Sequence, residues 1–144
     1  MPLVYFDSSA LVKLVVEEDG TDLAADIWDG CDAALSSRLA YPEVRAALGA
    51  SGRNHNLDED QLVAAEEAWE GYWAAIRPVE LTSAVEHRAG QLASLHSLRG
   101  ADAVHLASAL AVADPDLVFA VWDRRLHAGA QEIHLRVAPL ELNP

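Results

Sequence analysis

An α/β domain with a mostly parallel central sheet is predicted from three observations. Leu3-Val4-Tyr5-Phe6 is a continuous apolar run of β-formers, the pattern of a strand buried on both faces. Similar short runs alternate with segments of helical spacing along the whole chain. The length, 144 residues with 51% apolar side chains, suits one domain spanning 1–144.

The elements follow in order. Asp7 closes the first strand, and Leu11, Leu14 and Val15 repeat at helical spacing up to an acidic turn at Glu17-Glu18-Asp19-Gly20. Leu23, Ile27 and Trp28 mark a second short helix. Ala33-Ala34-Leu35-Ser36 is the second strand, and Ser37 caps a helix from Leu39 to Leu48 that Gly49 and Gly52 are expected to break. Asp58 caps a long helix through Leu62, Ala65, Trp69 and Trp73, stopped by Arg77-Pro78. Val79-Glu80-Leu81 is a short strand. Thr82 or Ser83 caps a helix carrying Val85, Ala89, Leu92 and Leu95, with Glu86 near a capping-box position. Gly100 separates it from a helix over Ala101 to Val112. Asp114-Pro115-Asp116 turns the chain into a strand from Leu117 to Trp122, a short helix from Asp123 to Gly129, and a last strand from Ile133 to Val137.

Composition excludes several classes of protein. No apolar run approaches the ~20 residues of a membrane span, and Leu3 to Phe6 is too short for a signal peptide, so a cytoplasmic protein is expected. Cys31 is the only cysteine, which rules out an internal disulfide or a thiolate zinc site. The net charge of −13 opposes broad attraction to nucleic acid and favours a basic protein partner. Nine arginines and one lysine can still build a local phosphate-binding groove.

Most of the 23 acidic residues lie in turns or on outward helix faces. Four do not. Asp7 and Asp123 each end an apolar strand and begin a helix, at the edge of the sheet where open α/β folds bind ligands; either alone reads equally well as a helix cap. Glu43 shares a helix face with Leu39, Ala40, Ala46 and Ala47, so it needs a partner, and Arg38 or Arg45 would be an ordinary one. Asp102 sits in a first helical turn, where the macrodipole also favours an acid. Two acids at strand ends and two near helix starts share one edge of a parallel sheet. Four carboxylates gathered there repel one another unless protons or cations neutralise them, and hard oxygen ligands select Mg²⁺ or Mn²⁺.

The segments carrying these acids resemble a known family. Val4-Tyr5-Phe6-Asp7-Ser8-Ser9-Ala10-Leu11-Val12-Lys13-Leu14 is similar to the opening of a PIN domain, and Arg99-Gly100-Ala101-Asp102-Ala103-Val104-His105-Leu106-Ala107-Ser108-Ala109 to its central motif. Tyr41-Pro42-Glu43-Val44 and Val121-Trp122-Asp123-Arg124-Arg125-Leu126 match the remaining acidic stations. One departure is that Ala120-Val121-Trp122 carries no Ser or Thr before the fourth acid. The short form resembles the VapC toxins of bacterial toxin–antitoxin modules. The resemblance implies a three-layer α/β/α fold, hydrolysis of RNA to 5′-phosphate ends, a homodimer, and a cognate VapB-type antitoxin.

On this reading Asp7, Glu43, Asp102 and Asp123 are the catalytic set. Asp7 and Asp102 chiefly hold the metal, and Asp123 completes the cage directly or through water. Glu43 orients a water or helps hold a second ion. Ser8 and Ser9 are capping residues near Asp7, and His105, three residues after Asp102, belongs to the core or backs the site. Trp69 and Trp73 pack in a core or dimer interface, while Arg38, Arg45, Arg99, Arg124 and Arg125 are candidates for phosphate contact or for plain salt bridges. Two rivals remain. An aspartate-based phosphotransfer domain lacks a second Asp two places after Asp7 and a late lysine; a non-catalytic PIN-like binding module would not need four intact carboxylates.

Overall fold

The computed structural model describes residues 2–143, so Met1 and Pro144 of the expected 1–144 domain lie outside the described residues. Five strands, β1 (Leu3–Phe6), β2 (Ala33–Ser37), β3 (Arg77–Val79), β4 (Val118–Ala120) and β5 (Arg136–Ala138), form one sheet in the order β3-β2-β1-β4-β5. Every neighbouring pair is parallel. Seven helices connect them: α1 (Ser8–Val15), α2 (Thr21–Gly30), α3 (Ala40–Arg53), α4 (Glu59–Ala75), α5 (Ser83–His96), α6 (Gly100–Ala111) and α7 (Arg124–Glu132).

Successive side chains of a strand point to opposite faces, and β1 serves both layers of the core. Val4 and Phe6 face Leu11, Val44, Leu48 and Trp69 of α1, α3 and α4. Tyr5 faces Leu92, Leu106, Phe119 and Leu126, within the layer made by α5, α6 and α7. This is the expected three-layer α/β/α arrangement, and it explains why β1 has no polar alternation. Among the described residues, no helix is long and apolar enough to cross a membrane.

Four of the differences from the expected element boundaries have a physical reason. Helix α3 does not break at Gly49 but continues through Gly52 to Arg53, because Gly52 lets α4 approach: a Cβ there would lie 2.9 Å from Leu62 Cδ2. Strand β3 starts at Arg77-Pro78, the pair expected only to stop α4, and proline is tolerated because β3 is an edge strand. Strand β4 is limited to Val118–Ala120, since Leu117 N is taken by the turn to Asp114 and Trp122 N by the Ser9 hydroxyl. Strand β5 is Arg136–Ala138 rather than Ile133–Val137, because Ile133 is the C-cap of α7 and His134 takes a left-handed turn with φ 65°. The caps at Asp58, completed as a box by Gln61, and at Thr82 are as expected; Glu86 lies one place beyond the box position.

Candidate active site

From β1 the chain runs outward to β2 and β3 on one side of the sheet and returns to place β4 and β5 on the other. The order therefore reverses between β1 and β4, and a crevice opens at the carboxyl ends of those two strands. Asp7 follows β1 and Asp123 follows β4, with Phe6 and Ala120 in register. Glu43 and Asp102 stand in the first turns of α3 and α6. All four carboxylates line one pocket of about 490 Å³, completed by Ser8, Ser9, Arg99 and the small side chains of Ala46, Ala47 and Ala101. The alanines that made Glu43 look misplaced in sequence are the wall that leaves the pocket open.

The capping roles are also present. Asp7 Oδ1 accepts from Ala10 N at 2.9 Å and from Ser9 Oγ at 2.6 Å; Asp123 Oδ1 accepts from Leu126 N at 2.9 Å. Capping and pocket lining are thus not alternatives, because each carboxylate has two oxygens and the helix uses one. Ser9 Oγ further accepts from Trp122 N at 3.0 Å, so one hydroxyl ties the end of β1 to the segment after β4. It supplies a hydroxyl beside Asp7 although Ala120-Val121-Trp122 carries none.

Asp7 is 2% exposed, and its bonding donors are neutral. Burial raises its carboxyl from 3.8 to about 6, with Asp123 pushing the same way, against the lowering influence of the hydrogen bonds from Ser9 and Ala10. Asp102 is raised as well, by burial and then by the charge of Asp123, and is held down by Arg99. The guanidinium of Arg99 reaches Asp102 Oδ2 at 3.2 Å and Asp123 Oδ2 at 3.4 Å. Arg99 is itself 71% exposed, so it is a movable counter-charge.

On the other wall Glu43 Oε1 meets His105 Nε2 at 2.6 Å, and His105 Nδ1 meets the Tyr5 hydroxyl at 2.8 Å. Glu43 is not paired with an arginine: Arg38 bridges to Glu80, and Arg45 to Glu66 and Glu70. Arg124 donates to the Asn143 carbonyl, so of the five flagged arginines Arg99 alone lines the pocket. Trp69 is fully buried, stacks with Tyr41 and meets Trp73 at a tilt, while Trp28 packs on Phe6 and Tyr72, which places these rings in the core. Tyr5 was legible only as a β-former; its alternation away from Val4 and Phe6 was the available signal.

The donor set is oxygen-rich and over-charged, which suits a hard divalent cation. Among the described residues no three His, Cys, Asp or Glu groups stand close enough to hold one ion as they are placed. As placed, Arg99 bridges Asp102 and Asp123, and Glu43 is in contact with His105.

Comparison with known proteins places the same residues in a family context. The PIN domain family matches residues 4–130. The chain is 69% identical over 144 residues, all of both chains, to Ribonuclease VapC45 of Mycobacterium tuberculosis (strain CDC 1551 / Oshkosh). Among solved structures, a toxin–antitoxin complex from Klebsiella pneumoniae superposes with a TM-score of 0.66 at 16% identity, covering 97% of this chain and 99% of that one. Mycobacterium tuberculosis VapC20, a Sarcin-Ricin loop cleaving toxin, gives a TM-score of 0.66 at 18% identity over 87% of this chain and 93% of its own.

Proposed function

The chain belongs to the PIN-domain family, and from that premise we propose that it is a VapC-type ribonuclease toxin whose pocket hydrolyses RNA with Mg²⁺ or Mn²⁺. The observation that carries the reading is the convergence of Asp7, Glu43, Asp102 and Asp123, from four separate stretches of chain, on one crevice at the point where the strand order reverses.

Asp7, Asp102 and Asp123 are the residues that would hold the metal. When bound, such an ion supplies charge neutralisation at the scissile phosphate and acidifies water for attack. The chain's own groups do the rest. Asp7 is fixed by Ser9 and by the N-terminus of α1, so its carboxylate is presented in one orientation. Glu43, across the pocket, would orient the attacking water and take its proton. Arg99, freed from Asp102 and Asp123, is the group able to grip a phosphate bidentately.

The partner we propose is a small VapB-type antitoxin, supported by the net charge of −13 and by the similarity to a toxin–antitoxin complex. Arg99 illustrates the chemistry available to it, since one guanidinium already spans two of the site's carboxylates. A homodimer and a cytoplasmic location complete the reading, by resemblance to the family. The binding-module alternative has against it the four intact carboxylates. The phosphotransfer alternative has against it Lys13, which is tied to Glu18 and the Asp19 carbonyl and not directed at Asp7. The test is incubation with total cellular RNA, with and without Mg²⁺, mapping new 5′ ends. Discrete new 5′-phosphate ends that need the metal are expected, and their absence with both Mg²⁺ and Mn²⁺ would overturn the reading.

A further inference from the structure

We infer that His105 is a positioning residue for the reaction: with its tautomer set by Tyr5, it donates one N–H to Glu43 and holds that carboxylate as the pocket's proton acceptor. The inference deepens the ribonuclease reading and rests on it for the word reaction, but the arrangement itself can be tested without catalysis.

Glu43 needs such a device. A glutamate side chain in a partly open pocket samples many rotamers, and freezing it in one costs side-chain entropy. Glu43 stands in the first turn of α3, 24% exposed, flanked on its own helix by Ala46 and Ala47, which are too small to restrain it. The restraint comes from α6, through the 2.6 Å contact to His105 Nε2. His105 is 1% exposed, and the Tyr5 ring meets it edge-on with centres 5.8 Å apart, so its ring is not free to turn.

Which nitrogen carries the proton follows from the second contact. In neutral imidazole one nitrogen donates and the other accepts, and the bond at one fixes the role of the other. The Tyr5 hydroxyl lies 2.8 Å from Nδ1. Tyr5 is fully buried with its hydroxyl facing Nδ1. With that O–H donated to a bare Nδ1, Nε2 bears the ring proton, aimed at Glu43, whose carboxylate has no proton of its own to offer at that contact. A carboxylate can only accept while ionised, so the sequence of bonds is consistent from end to end: Tyr5 O–H to Nδ1, Nε2–H to Glu43 Oε1. Tyr5 is in turn fixed by stacking on Phe119, with ring centres 5.3 Å apart and planes within 3°. The line of contacts joins β1, α6 and α3, so the orientation of Glu43 is set by the core and not by the pocket's solvent.

Two measurements test it. Histidine ¹⁵N spectra of the metal-free full chain read the tautomer directly. The expected result is Nε2 protonated and Nδ1 bare at His105, changed in Tyr5→Phe, which keeps the ring and its stacking. A proton on Nδ1, whether as the other tautomer or as the doubly protonated ring, would overturn the inference. The second measurement is a double-mutant cycle on cleavage. His105→Asn, which retains a polar group near Nδ1 but is too short to reach Glu43, should lower kcat about 10- to 100-fold with little change in KM. Added to Glu43→Gln it should cost nothing further, as residues acting as one unit do. Additive losses, or a loss confined to KM, would mean His105 is packing only. If the parent cuts no RNA, the ribonuclease reading has failed, and the ¹⁵N spectra alone still decide whether His105 pins Glu43.

Discussion

The two walls of the pocket are built on opposite principles. On one side Glu43 contacts a fully buried imidazole, which itself contacts a fully buried phenol, so the line of polar groups runs from the pocket into the core. On the other side burial and the charge of Asp123 raise the affinity of Asp7 and Asp102 for protons, and the cationic bridge between Asp102 and Asp123 is an arginine that is mostly in water. The first wall is finished in the folded chain. The second is held apart and gains most from an added positive charge. A divalent cation should therefore act almost wholly on the aspartate wall, while the Glu43 wall stays as the fold leaves it.

The largest expected effect is on activity. Asp102→Asn keeps the shape and the place in the first turn of α6 but removes a charge from the crowded wall, so cleavage should fall by roughly 10²- to 10³-fold or more, as for other groups that stabilise charge in a transition state. Its metal-free stability should stay within about 1 kcal/mol of the parent or rise, since the charge it loses is a repelling one. Rates on a susceptible RNA and urea unfolding read the two halves; an active Asn variant would show that Asp102 is a helix-start residue and nothing more.

The next effect is on pH dependence. The Asp7 carboxyl titrates near 6 in the fold against 3.8 ordinarily, so between those values the folded chain keeps a proton that the unfolded chain has released. The stability tied to this group is full below about pH 4 and falls as pH rises through 6, by up to about 3 kcal/mol without metal. Asp7→Asn keeps the cap and abolishes that loss. The variant and parent should unfold at similar urea concentrations at pH 4, and the variant should be the more stable at pH 7.5. A parent that gains on the variant as pH rises would reverse the assigned burden.

Metal addition comes third. An ion bound only by the fold at about 100 times its Kd stabilises by about 2.7 kcal/mol, a melting shift of roughly 5–10 °C for a chain of this size. The shift should be large in the parent and in Glu43→Gln and much reduced in Asp7→Asn, a pattern that separates the two walls. Equal shifts in all three would erase the distinction. The smallest effect is that of Arg99→Ala. Removing the exposed bridge should tighten Mn²⁺ binding by up to roughly fivefold, the equivalent of about 1 kcal/mol, with little change in stability, as calorimetric titration can show. Weaker binding would mean that Arg99 organises the aspartates and does not compete for them.

The aspartate wall was largely legible in sequence and the glutamate wall was not. Asp7 and Asp123 announce themselves by ending apolar strands, a local pattern that period and polarity reveal. Asp102 stands in a first turn that Gly100 marks. The partner of Glu43 lies 62 residues away, and Tyr5 a further 100 from His105, so no local spacing joins them. Arg38 and Arg45 were the natural candidates by proximity in sequence, yet both point to acids on other elements. Element boundaries depart from local preference where tertiary packing overrides it, as at the end of α3, with Gly52 against Leu62, and at the start of β3, with Pro78 on the sheet edge.

The central claim is that the aspartate wall is a cation site which cuts RNA only when filled. Cleavage of one susceptible RNA, followed against Mn²⁺ concentration from chelated buffer upward, tests it most directly for the parent and Asp102→Asn side by side. The expected result is no cleavage under chelation, saturable cleavage leaving 5′-phosphate ends as Mn²⁺ rises, and little or none at any concentration for the variant. Undiminished cleavage in excess chelator, or a variant curve that overlays the parent's, would contradict it.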